Sequence, residues 1–336
     1  LLAAAASLAC VAAACSPNAI CRSGGINDPS NRTERRQLLA YGLDAFCKQM
    51  LDRSAPLKMT PDAPAIGRFF PQHCAQQTLS NGDLQITFDG FGYAWTNVSL
   101  KATFTATGTV EYNQDFRCSD DNAIYAYFPV KQVQSSGFQL HMIEQPLANL
   151  AQGWVTPYAN SFGTQMLGGQ LAQGFTVIRD TDGNTDFDVG ILQLGTKPSH
   201  PFAMPSNGKT TLEDARVTIN QNERDFVGPL RLDQGGVLSI TASVDGQPAV
   251  GVFVVPRDEG DASLKWYFES GAATKLATEP RITGVMQQGL QYRQNTPLPA
   301  GSYYVIFDNT ALAGQAAPTN ASAAMVSYLI QIGGGS

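Results

Sequence analysis

The chain has 336 residues, 43% of them hydrophobic, enough for packed cores and too many for wholesale disorder. Only 15% are charged, and 22 Lys and Arg stand against 28 Asp and Glu, a net charge of −6 with no basic run. That balance excludes a nucleic-acid binder, while the length predicts about two domains and the 32 Gly and 19 Pro predict turn-rich β structure.

Residues 1–14, LLAAAASLACVAAA, carry no charge and run into Cys15-Ser16-Pro17-Asn18. An apolar stretch this short, ending in small residues, reads as a cleaved export leader rather than a bilayer span. Ala12-Ala13-Ala14-Cys15 resembles a bacterial lipobox, which implies that Cys15 is diacylated and anchors the protein in a membrane; Cys10 is the second candidate. The competing readings are an ordinary signal peptide or a buried helix. Ser16 after the cysteine, by resemblance to enterobacterial sorting, directs the expectation to the outer membrane. Cys21, Cys47, Cys74 and Cys118 remain, none at C-x-x-C spacing, so disulfides in an oxidising envelope are expected rather than a metal centre. Three pairings are open. Cys47–Cys74 with Cys21–Cys118 is favoured, because Cys47 lies on a helical apolar stripe and Cys74 follows a Pro-rich segment that packs back over it.

Residues 15–33 are polar and Gly-bearing, a tether. Leu39, Leu43, Phe46, Cys47 and Met50 then recur with a 3.6-residue period, predicting an amphipathic helix from Glu34 to Arg53. Pro56, Pro61, Pro64 and Pro71 exclude helix or central strand over residues 54–72. From Leu84 the period becomes two. Val98 to Ala106 alternates strictly, with Lys101, Thr103 and Thr105 on a wet face, and Ile124 to Val130 and Phe138-Leu140-Met142 extend an antiparallel meander. Leu147, Leu150, Trp154, Tyr158 and Phe162 predict a second helix kinked at Pro157, and Phe175–Arg179 with Phe187–Leu194 a hairpin. Residues 196–211, rich in proline, read as a linker. Beyond it Arg216–Ile219, Val237–Val244, Val250–Val255, Lys265–Phe268, Ser302–Phe307 and Val326–Ile332 read as strands. The expected architecture is an α+β N-terminal domain over residues 34–195, an antiparallel meander with two main helices, followed by an all-β sandwich over residues 212–333.

The chemistry-bearing candidates are few. Asp180, Asp182, Asn184, Asp186 and Asp188 place oxygen donors at every second position, as a calcium loop begins. Thr185 and Ile191, however, occupy the positions where an EF-hand needs Gly and Glu, so a hairpin turn is the stronger reading and Ca²⁺ the weaker. His73, His141 and His200 share no metal spacing, and His200 between two prolines reads as linker surface. Asp115, Asp120, Asp121, Asp258, Glu259 and Asp261 read as solvated loop carboxylates. No nucleophile elbow, P-loop or dinucleotide fingerprint occurs, so no enzyme and no cofactor are expected. Phe91, Tyr93 and Trp95 read as core at a strand entry, or as a binding surface. Small residues along the second helix predict an apolar pocket bordered by Leu100, Phe104, Leu150, Trp154, Tyr158 and Phe162, with a fully packed core as the alternative.

Gly92-Tyr93-Ala94-Trp95, Gly174-Phe175-Thr176-Val177 and Gly301 to Asn309 resemble segments of uncharacterised exported lipoproteins of myxobacteria-like bacteria, a resemblance that implies no function. Pro299 to Val305 and Val326 to Ile330 resemble bacterial pre-peptidase C-terminal-type sandwiches, implying a non-catalytic accessory domain. The order helix, meander, apolar helix in residues 34–194 is similar to tubular (TULIP-like) lipid-binding domains, in element order only. The function expected is a non-catalytic envelope lipoprotein that binds an apolar ligand or lipid. The alternative is a structural lipoprotein that docks to an envelope protein or polysaccharide.

Overall fold

The computed structural model describes residues 17–42, 46–60, 62–95, 101–143, 172–202 and 208–333. Strand dominates over helix among them, arranged in sandwich-like layers. The helices are α1 (Pro17–Cys21), α2 (Arg32–Gly42), α3 (Phe46–Leu51) and α4 (Arg257–Ser270). None of the described helices is long and apolar enough to cross a membrane.

A nine-stranded sheet runs through most of the chain. Its N-terminal part comprises β1 (Ala55–Lys58), β2 (Ala65–Thr78), β3 (Leu84–Trp95), β4 (Lys101–Tyr112) and β7 (Val130–Ile143). Its C-terminal part comprises β10 (Thr210–Ile219), β12 (Gly236–Asp245), β15 (Tyr292–Leu298) and β17 (Ala324–Gly333). The order is β15-β12-β17-β10-β2-β3-β4-β7, with β1 on β2, and the two parts join where Val217 of β10 pairs in parallel with Ala65 of β2. A second sheet, β11-β16-β13-β14, is built from β11 (Glu223–Leu232), β13 (Ala249–Pro256), β14 (Ile282–Gln287) and β16 (Gly301–Asn309). A small third sheet holds β5 (Asp115–Cys118), β6 (Ile124–Phe128), β8 (Phe175–Arg179) and β9 (Thr185–Val189).

Alternation explains the main sandwich. Leu238, Ile240, Ala242 and Val244 of β12 are fully buried and share a core with Val252 and Val254 of β13, Val305 and Phe307 of β16, and Val326, Tyr328 and Ile330 of β17. Phe70, Tyr93 and Trp95 from β2 and β3 join the same core, so these aromatics are packing residues. Where β3 meets β4, Gly92 lies opposite Phe104, and a Cβ on Gly92 would stand 2.8 Å from the Phe104 ring; glycine leaves the space that the ring fills.

Several elements differ from the sequence expectation for identifiable reasons. The prolines of residues 54–72 do not exclude strand: Pro56 lies in the short β1, and Pro71 sits where the β2–β3 register shifts, a bulge that needs no amide hydrogen at that point. The helix expected over Glu34 to Arg53 is described as α2 and α3. Lys265–Phe268 is not a strand but part of α4, which has Asp258 and Glu259 in its first turn and left-handed Gly271 at its C-cap. Those carboxylates are accordingly not loop residues. Glu259 is buried and accepts from the Ala277 and Thr278 amides at 2.7 and 3.2 Å, and Asp261 accepts from the Tyr304 hydroxyl at 2.7 Å. Lys101 and Thr103 of β4 are buried rather than wet, because β11 and α4 cover that face.

Disulfides join Cys21 to Cys118 and Cys47 to Cys74, with Cα atoms 5.4 and 5.2 Å apart. Both lie against one small core with Leu84, Val110, Phe116 and Phe128.

Candidate functional site

The outer face of the sandwich part of the long sheet carries an open recess. Because the inward face of β12 takes the apolar residues, Ser239 and Thr241 point outward. Strand register lines up Asn295, Ser239, Gln331 and Thr211 across β15, β12, β17 and β10; the next row is Arg293, Thr241, Leu329 and Asp214. Phe202 and Lys209, from the segment expected as a linker, stand against these rows and form the wall of an open groove of about 450 Å³. Arg293 and Asn295 of the edge strand β15, with Gln291 just before it, form its rim. Lys209 donates to Ser239 Oγ at 2.6 Å and Gln331 to Thr211 Oγ1 at 3.2 Å, so the polar floor is oriented by its own neighbours.

His200 fixes the same segment two residues before Phe202. It is not linker surface: its side chain is only 16% exposed, with Nε2 2.7 Å from Asp186 and Nδ1 3.2 Å from Asp214. Lys58 of β1 stands 3.8 Å from neighbouring Asp188. The hydrogen bond to Asp186, then the one to Asp214, raise the imidazole to about 10, and burial pushes the carboxyls of Asp188 and Asp214 up. Protonated His200 therefore stabilises the fold fully below its ordinary 6.5, and that contribution is lost as pH rises toward 10. Urea denaturation of the wild type is expected to show a stability loss of a few kcal/mol between those pH values, and His200→Gln to flatten the profile over that window. Parallel pH profiles for the two proteins would contradict the assignment.

The other sequence candidates fall as follows. Asp180, Asp182 and Asn184 form the β8–β9 turn: the Asp180 amide donates to Asn184 O at 2.9 Å, and the Asn184 amide to Asp182 Oδ1 at 2.9 Å. Asp180 pairs with Lys197, Asp186 with His200 and Asp188 with Lys58, so protein cations take these oxygens. Among the described residues no group of three or more His, Cys, Asp or Glu stands close enough to hold a metal. Of the residues expected to border an apolar pocket, Phe104 is buried and stacked on Phe138 with ring centroids 4.9 Å apart. Leu100, Leu150, Trp154, Tyr158 and Phe162 lie outside the described residues, as do Cys10 and Cys15.

Sequence reasoning missed a buried ionic seam behind the groove. Arg68 of β2, fully buried, makes a bidentate pair with Asp225 of β11 at 3.1 and 2.7 Å and also donates to Tyr328 Oη, Ser54 Oγ and Glu213 Oε1. Tyr93 donates to the same Asp225 at 2.7 Å. Two residues away along β11, Glu223 pairs with Lys101 at 3.0 Å, and that lysine lies 3.7 Å over the Tyr267 ring. Arg224, between them in sequence, pairs with Asp308 at 2.7 Å. Burial pushes the phenols of Tyr93, Tyr267 and Tyr328 well above their ordinary range, so all three stay protonated. These groups satisfy one another and tie β2, β3 and β4 to β11; they are framework, and they set the position of the sheet whose outer face bears the groove.

No protein-family model and no curated protein matches the chain. Among solved structures it is similar to one described as "Bacillus endospore appendages form a novel family of disulfide-linked pili", at 13% identity and TM-score 0.22 over 41% of this chain and 100% of that one. A carbohydrate-binding module of family 29 matches at 14% identity and TM-score 0.23, over 40% of this chain and 86% of that one. A glycoside hydrolase family 43 arabinoxylan arabinofuranohydrolase from Bacillus subtilis matches at 10% identity and TM-score 0.24, over 83% and 70%. At these TM-scores the likenesses carry no argument.

Proposed function

We propose that the protein is an exported, non-catalytic binding protein of the cell envelope whose sheet-face groove takes a segment of polysaccharide. The observation that carries the reading is the composition of the lining. Thr241, Gln291 and Asn295 offer side chains that both donate and accept, as the hydroxyls of a sugar require, over a buried polar floor of Ser239 and Gln331, and Phe202 supplies a flat apolar surface for its C–H face. Among the described residues, no carboxylate, imidazole or thiol stands in that lining to move a proton or attack a bond. The two disulfides support an oxidising compartment, and the small residues before Cys15 support an acyl anchor there, with outer-membrane placement part of the same proposal.

Affinity electrophoresis against a panel of neutral and acidic polysaccharides tests the reading. Thr241→Val combined with Asn295→Ala removes two groove hydrogen-bonding groups and is expected to weaken retardation about tenfold or more, with unchanged circular dichroism. Retention of the folded double variant equal to wild type, or no retardation of wild type by any member of the panel, would overturn it.

A further inference from the structure

We infer that the polysaccharide is acidic and that Arg293 recognises its carboxylates. The inference rests on the groove reading above and adds the charge of the ligand. In a chain with net charge −6, the described residues of the groove lining include two cations, Lys209 and Arg293, and no carboxylate. Arg293 is exposed on the edge strand opposite Thr241. Its Nε donates to Gln291 Oε1 at 2.9 Å, which orients the guanidinium, and no carboxylate of the described residues lies within ion-pairing distance of it. Its two terminal nitrogens therefore present a planar fork suited to bidentate capture of a carboxylate, with the Thr241 hydroxyl and Asn295 amide beside it for ring hydroxyls. Lys209 sits at Ser239, one outward position along β12, about 7 Å away along the strand. An exposed guanidinium with no carboxylate partner among the described residues, on a chain of net charge −6, favours a ligand with repeated negative groups over a neutral one.

The direct test compares polygalacturonate with its fully methyl-esterified form, the same backbone with the charge removed, by isothermal titration calorimetry on the full chain. Binding of the acid is expected to be about tenfold or more tighter than binding of the ester. The preference is expected to shrink as salt rises from about 0.01 M to about 0.15 M, where the screening length falls from about 30 to about 8 Å. Arg293→Gln should abolish the preference, so that acid and ester bind alike, and Arg293→Lys should restore only part of it. Equal binding of acid and ester would overturn the acidic assignment and leave the groove reading standing; binding of neither form, nor of any other glycan, would overturn both. Monomeric galacturonate binding as tightly as the polymer would also overturn it, reducing the site to a simple anion contact.

Discussion

Arg68→Ala is expected to destabilise the protein by about 3–5 kcal/mol, far more than the loss of any exposed ion pair. Arg68 and Asp225 are both fully buried, and the guanidinium is the group that compensates the Asp225 charge. Truncating it leaves a carboxylate in the core, held only by the Tyr93 hydroxyl, and strips Tyr328, Ser54 and Glu213 of the same donor. The seam ties β2 and β3 to β11, so the cost falls on packing between the long sheet and the second sheet. Chemical denaturation of the variant measures it. Arg68→Met together with Asp225→Leu should recover most of the loss, because the charge and its partner leave together. A loss below about 1 kcal/mol in the single variant would show that the pair contributes no more than a surface bridge.

Removing the Cys21–Cys118 disulfide has the next largest expected effect. The bridge closes a sequence separation of 97, against 27 for Cys47–Cys74. In the chain-entropy view a loop near 100 residues is worth about 4.7 kcal/mol, and a short one about 3. Cys21→Ser with Cys118→Ser should therefore destabilise more than Cys47→Ser with Cys74→Ser. Asn27 reinforces the longer bridge by donating to Cys118 O and accepting from the Cys118 amide, both at 2.8 Å. Without the bridge, those two hydrogen bonds and the Arg35–Asp115 pair at 2.9 Å still hold the N-terminal turns to β5. Thermal melts of the two double variants measure the order; a reversed order would mean that native contacts, not loop closure, set the values.

How much of this fold is legible in the sequence depends on the element. The β12 strand is, because Leu238, Ile240, Ala242 and Val244 alternate with small hydroxyl residues and one face is buried. The cysteines are open to reasoning because one helical stripe and one Pro-rich return bring Cys47 and Cys74 together. By contrast β11 escapes notice: it opens with three consecutive charges, Glu223-Arg224-Asp225, and carries Gly228-Pro229 within it, so it shows no alternating apolar run. All three charges are buried because each meets its opposite on another element, a pairing no local pattern reveals. Lys101 reads as wet for the same reason, and the middle of α4 reads as strand because a run of four residues carries no usable period. The groove is the least legible. Its floor is set by register among β10, β12, β15 and β17, which are separated in sequence, and its wall comes from a segment whose prolines read as a linker.

The claim that the sheet face is the binding surface is tested most directly by hydrogen–deuterium exchange with and without saturating polygalacturonate. Slowed exchange is expected along β15, the edge strand whose Arg293 and Asn295 line the groove, and in the described residues flanking Phe202 and Lys209, with α4 and the small third sheet unchanged. Protection confined to β14, α4 or the small third sheet, with β15 unaffected, would contradict it.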